Sequence, residues 1–213
     1  MTPSEQSQHA LSLCQLAPVI PVLVIEDIAH AIPLAQALVA GGLPVLEVTL
    51  RTDSALDAIA AMSGVDGAIV GAGTVLNAAQ MEAAKNAGAR FAVSPGATPA
   101  VLDAARVHDM PLLPGAQTCS EVMALLEQGY TVQKFFPAES IGGSSALKSI
   151  GGPLPQVTFC PTGGISLARA PDYLALPNVA CVGGSWIAPK NAMSDGDWAS
   201  IAKLAKAASV LPR

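Results

Sequence analysis

Three ionisable residues stand in stretches that otherwise read as buried strands: Glu47 and Arg51 in VLEVTLRT (45–52), and Lys134 in TVQKFFPAE (131–139). Residues 131–136 are β-branched and aromatic and stop at Pro137, the signature of a strand. Lys134 falls on the same face as Val132 and Phe136. In the earlier stretch, alternation sets Leu46, Val48 and Leu50 on one face and Val45, Glu47, Thr49 and Arg51 on the other. If the apolar set packs on helices, Glu47 and Arg51 point into whatever the strands enclose. A structural salt bridge would explain those two; a lysine facing the same space from another strand goes beyond what such a bridge needs. The other five lysines (85, 148, 190, 203 and 206) fall in helical or loop segments, where water can solvate them. Burial disfavours the ammonium form, and a neighbouring cation such as Arg51 adds to that. A neutral amine attacks carbonyl carbon to form a Schiff base. Glu47 would then be the general acid–base.

Later turns carry a second signal. CPTGGIS (160–166) and VGGSW (182–186) each end a strand-like run with a diglycine followed by a helix start. Backbone N–H groups in such places bind phosphate. GAGTVLN (71–77) sets Thr74 at the end of another run, and VSPGAT (93–98) and LPGAQT (113–118) put small residues and prolines at two more, leaving room for a ligand. His9, His30 and His108 fall in the N-terminal helix, the first outer helix and a distant connection, so metal-free chemistry is expected. Cys14, Cys119, Cys160 and Cys181 form no CxxC pair and read as scattered reduced thiols.

The elements that must position these residues recur regularly. Strand-like runs span 19–25, 44–50, 68–73, 91–96, 111–116, 131–136, 158–164 and 179–185, with starts 20 to 27 residues apart. That spacing fits one strand, one helix and two short loops. Alanine- and leucine-rich helices lie between, such as one beginning at Asn77. Eight such units in 213 residues predict a single-domain (β/α)8 TIM barrel over 1–213, with a short N-terminal helix capped near Ser4. An open doubly wound sheet is the alternative, but no GxGxxG opens the first helix. In a barrel, chemistry belongs at the C-terminal ends of strands, and outward strand positions should be apolar.

Composition bounds the partners. Just over half of the residues (51%) are hydrophobic and 13% are charged, which excludes disorder and suggests apolar surface covered by further copies of the chain. A net charge of −5 with no basic cluster argues against nucleic acid and anionic membrane. No apolar run reaches the ~20 residues of a membrane helix, and the N-terminus lacks a signal-peptide pattern, so a cytoplasmic protein is expected.

Together VLEVTLRT, IVGAGTVLN, FAVSPG, KFFPAE, FCPTGGIS and VGGSW resemble the 2-keto-3-deoxy-6-phosphogluconate (KDPG) and 4-hydroxy-2-oxoglutarate (KHG) aldolases, from about Leu16 to Lys206. The resemblance implies a cofactor-independent class I aldolase on a TIM barrel, usually homotrimeric, acting on a phosphorylated keto acid. It implies Lys134 as the Schiff-base residue and Glu47 as the acid–base. Arg51 and Thr74 would hold the pyruvyl carboxylate, with Pro95 and Phe136 shaping the pocket. Gly163, Gly164, Gly184 and Ser185 would bind phosphate, and Thr162 would contact a substrate hydroxyl. The galactonate epimer as substrate, a phosphosugar isomerase or epimerase, and a non-catalytic phosphometabolite-binding barrel are the rival readings; the inward set of Lys134, Glu47 and Arg51 argues against the last two.

Overall fold

The computed structural model describes residues 1–212, in which strands and helices alternate along the chain. Helix α1 (Pro3–Cys14) precedes β1 (Val19–Leu23), α2 (Ala31–Ala40), β2 (Val45–Thr49), α3 (Ala55–Ser63), β3 (Ile69–Gly73), α4 (Ala78–Asn86), β4 (Ala92–Val93) and α5 (Pro99–Val107). There follow β5 (Leu112–Leu113), β6 (Gly115–Ala116), α6 (Cys119–Glu127), β7 (Val132–Phe135), α7 (Gly143–Gly151) and β8 (Thr158–Pro161). The chain ends with α8 (Ala170–Leu174), β9 (Val182–Gly184), α9 (Lys190–Ser194) and α10 (Trp198–Ser209). Every strand pair is parallel.

Six strands pair in the order β5-β4-β3-β2-β1-β9 and three in the order β6-β7-β8. β5 and β6 belong to one run, parted at Pro114, which has no N–H to give a ladder. Parallel bridges at Phe159–Val179 and Thr162–Gly183 link the segments of β8 and β9. The result is an α/β fold with a curled, barrel-like parallel sheet. No helix among the described residues is long and apolar enough to cross a membrane.

Each of the eight runs contains a strand, trimmed where loops begin. Asn77 caps α4 as expected, accepting from the Gln80 N–H at 2.9 Å. The first helix starts earlier than Ser4, because Thr2 and Glu5 form a capping box around Pro3. His30 ends a short 3₁₀ turn (Ile28–His30) ahead of α2 rather than lying in the helix, since the Asp27 side chain caps that turn.

The side chains sort into two layers. Leu46, Val48, Val70, Leu112, Phe135 and Phe159 point out from the strands and pack on helix residues such as Leu34, Ile59, Met81 and Leu125. Full burial of such a side chain stabilises by about 1.5–3 kcal/mol. Ile20, Val45, Phe91, Val93, Leu113 and Val132 point inward and meet Ala10 and Cys14 of α1. Helix α1 therefore closes one end of the enclosed space. Its buried Gln6 accepts from the Tyr130 hydroxyl at 3.0 Å, and its Ser7 hydroxyl accepts from the Thr131 N–H at 3.1 Å.

Two expectations need correction. Outward positions are not all apolar: Gln133 is fully buried in the helix layer, where its Nε2 donates to the Val122 and Tyr130 carbonyls at 3.1 and 2.9 Å. These carbonyls lie in and just after α6, so the amide ties β7 to its preceding helix. The cysteines are not scattered either. Cys14, Cys160 and Cys181, brought from α1, β8 and the residue just before β9, converge so that their sulfurs all lie within 4.8 Å of one another.

Candidate active site

Along the inner face, polarity changes two residues beyond the apolar layer. On β2, Val45 is followed inward by Glu47 and then Thr49; on β7, Val132 is followed by Lys134 and then Phe136. Strand alternation makes this change of layer unavoidable once Val45 and Val132 face inward. Glu47 and Lys134 are both buried, and Lys134 Nζ lies 3.4 Å from Glu47 Oε1. Nζ also sits 5.1 Å from the centre of the Phe136 ring. Burial pushes the Glu47 carboxyl above its ordinary range, and the Lys134 charge works against that rise. Cys160 is the register partner of Lys134 on β8. Its thiol is drawn well below the usual range, first by S–H donation from Cys14 and then from Cys181, with the Lys134 charge adding.

Glu47 has room only because of a residue that sequence reasoning passed over. A Cβ on Gly73 of β3 would overlap Glu47 Oε1 and crowd its Cγ. A glycine inside a strand often marks such a close approach, which is the signal that could have found it. Thr49 is a second such residue. Its hydroxyl donates to the Leu23 carbonyl at 2.8 Å and accepts from Arg51 Nε at 3.1 Å, which sets the direction of the arginine.

Arg51, Phe136, Thr162, Gly163, Gly164 and Ser185 line one cleft of about 160 Å³, together with Val22, Ile165 and Gly183. Six residues singled out in the sequence thus come together. Gly184 stands apart from that lining, since a Cβ there would meet the Trp186 ring; Gly183 is the member of that diglycine on the cleft. Thr74 and Pro95 lie on the β3 and β4 rims and do not line the cleft. Thr74 holds a left-handed backbone at φ 61°, costly for a β-branched residue. It is clamped on both sides, by Leu50 N–H to the Gly73 carbonyl (2.8 Å) and by Val75 N–H to the Val93 carbonyl (3.1 Å).

The diglycine turns differ from expectation in one respect. Helices α8 and α9 start at Ala170 and Lys190, several residues after Gly164 and Gly184, and each has only five residues. Gly163 and Gly164 adopt φ of 105° and 77°, open to glycine but strained for other residues. A turn of that kind presents successive backbone N–H groups as an anion-binding concavity without a helix behind it. Lys134 and Glu47 do not line the cleft, but Lys134 faces the Phe136 ring, which does. A buried amine beside a buried carboxyl, next to a cleft edged by an arginine and such a turn, suits carbonyl condensation with an anionic substrate.

The family model for KDPG and KHG aldolase matches residues 11–204. The chain belongs to this family. The 2-dehydro-3-deoxy-phosphogluconate aldolase of Pseudoalteromonas atlantica is 56% identical over 192 residues, covering 90% of this chain and 89% of its own. The crystal structure of the 2-keto-3-deoxy-6-phosphogluconate aldolase of Zymomonas mobilis ZM4 with 3-phosphoglycerate superposes at a TM-score of 0.93. It is 53% identical and covers 97% of this chain and 98% of its own. The KDPG aldolase of Legionella pneumophila, with pyruvate captured at low pH as a covalent carbinolamine intermediate, gives a TM-score of 0.90 at 48% identity, covering 93% and 97%. Among KDPG and KHG aldolases, then, the match extends over nearly the whole chain.

Proposed function

We propose that this chain is a class I aldolase that reversibly cleaves 2-keto-3-deoxy-6-phosphogluconate to pyruvate and glyceraldehyde 3-phosphate, and also 4-hydroxy-2-oxoglutarate to pyruvate and glyoxylate. The buried Lys134–Glu47 pair at 3.4 Å carries the reading. The Lys134 amine attacks the C2 ketone to give a carbinolamine, which loses water to become a protonated imine. Glu47 removes the C4 hydroxyl proton, directly or through a water. The C3–C4 bonding pair flows into the imine as an enamine forms and the aldehyde leaves. Protonation at C3 and hydrolysis release pyruvate and restore the amine. The imine is the electron sink, so no cofactor or metal is needed. Arg51 and Thr74 hold the pyruvyl carboxylate, Phe136 and Pro95 wall the pocket, Thr162 meets a substrate hydroxyl, and the turns at Gly163, Gly164, Gly184 and Ser185 take the phosphate.

The carbinolamine described for the Legionella relative supports the covalent route. Incubation with pyruvate followed by borohydride is expected to add one reduced pyruvyl group per chain, and peptide mapping to find it on Lys134. Label on another lysine, or none, would refute the Schiff-base reading.

A second test separates the phosphate end from the reacting end. Ser185 is exposed at the cleft, so Ser185→Asp should spare the core while setting a carboxylate against the phosphate. Expected is a fall in kcat/KM for the phosphorylated substrate of at least about tenfold, or about 1.4 kcal/mol. Cleavage of 4-hydroxy-2-oxoglutarate, which has no phosphate, should change little. Equal losses on both would remove the turn from the phosphate site.

The fuller architecture belongs to the same reading: one domain over 1–213, closed as a (β/α)8 barrel and assembled as a homotrimer in the cytoplasm. The bridges between the β8 and β9 segments support closure. Exposed Ile28, Ile32, Leu76 and Met123 support burial between copies, and four free cysteines support a reducing compartment.

A further inference from the structure

We propose that Cys14, Cys160 and Cys181 form a binding site for a thiophilic trivalent metalloid ion, held by three sulfurs at the α1 end of the enclosed space. The aldol chemistry uses none of these thiols. All three are at least 98% buried, and the Cys181 and Cys160 sulfurs are 3.5 Å apart. Three sulfurs about 2.3 Å from a shared pyramidal centre, at angles of roughly 95°, stand about 3.4 Å from one another, close to the separation Cys160 and Cys181 already have. The set, already within 4.8 Å, closes to that arrangement through small side-chain shifts.

The surroundings decide which ion fits. Ile20, Phe91, Leu113 and Val132 wall the cluster, and the crevice beside Cys14, of about 10 Å³, barely holds one water. Soft sulfur donors select soft ions. An apolar wall adds a second filter, because any net charge on the complex stays desolvated, and the one neighbouring cation among the described residues, Lys134, already faces Glu47. A monovalent ion on three thiolates leaves two negative charges and a divalent ion leaves one. A trivalent centre leaves none. Arsenite, present near neutral pH as the uncharged trihydroxide, meets that condition: three S–H bonds and three As–OH bonds are exchanged for three As–S bonds and three waters. No electrons change hands. Entry needs local opening of α1, whose last residue is Cys14.

Binding would staple α1 to β8 and to the start of β9, so it should raise thermal stability as well as change mass. The experiment uses the full chain carrying Cys119→Ser, which removes the exposed fourth thiol. Native mass spectrometry with micromolar arsenite is expected to show one arsenic gained and three hydrogens lost per chain, with a higher melting temperature. Cys14→Ser, Cys160→Ser and Cys181→Ser should each weaken binding at least tenfold and abolish the thermal shift. Cys14→Ala serves as a second variant should the serine disturb the apolar wall. Absence of the adduct, or an adduct unaffected by loss of any one of the three, would overturn the site. Cadmium taken up in preference to arsenite would overturn the charge argument.

Discussion

Lys134→Met is expected to remove both cleavage and borohydride labelling, with turnover down on the order of 10⁶-fold, the scale on which a covalent nucleophile is lost. Lys134→Arg should do no better, because guanidinium does not become a nucleophilic amine. The methionine variant also leaves Glu47 buried beside no cation. Removing one partner of a buried pair costs about 3–5 kcal/mol when the other must stay charged. Glu47 can instead take a proton, since burial already holds its carboxyl above the ordinary range and the opposing Lys134 charge is gone. A carboxyl whose folded pKa is raised gives stability at pH below its unfolded pKa, lost as pH rises through the folded one. Relative to wild type, the variant should therefore lose more melting temperature at pH 9 than at pH 5. Retained turnover, or labelling at Lys134-free chains, would defeat the assignment.

Glu47→Gln should lower kcat/KM by about 10²- to 10⁴-fold, the range of general acid–base catalysis, while pyruvate is still trapped on Lys134. In the wild type, activity should fall as pH drops through the raised Glu47 pKa, giving an acid limb above the ordinary carboxylate range. That limb should vanish from the pH profile of Glu47→Gln. Gly73→Ala should act in the same direction without touching an ionisable group, because its methyl overlaps Glu47 Oε1 and must push the carboxyl from the amine. A glutamine variant that kept the acid limb would assign the titration to another group.

The buried pair was legible in the sequence because side chains in a strand alternate: Glu47 and Lys134 are charges in phase with Val45 and Val132. The cleft was legible in part, through glycines at strand ends. What escaped depends on contacts between distant segments. Residues 14, 160 and 181 share no local pattern, and only the packing of α1 across the strands brings their sulfurs together. Gly73 reads as part of a glycine-rich strand end until Glu47 is seen occupying its missing side chain. The late starts of α8 and α9 escaped because the diglycines read as helix starts, whereas Pro171 is the second residue of α8 and Pro189 the residue before α9.

Gln133 and Lys134 are neighbours, and the amide's anchorage settles more than its own position. A shift of β7 by one residue would send the lysine into the helix layer and the amide to the inward face. Burial alone resists such a slip weakly, because Val132, Phe135 and Phe136 are apolar on either side. The two carbonyls of α6 and its following turn accept from an amide at the one place where only the working phase supplies it. Gln133 is thus a phasing pin, correcting an error of translation along the strand before the lysine can be misplaced. Anyone moving the KFFPAE lysine into another scaffold would have to move its silent neighbour as well, together with a helix end that reads it.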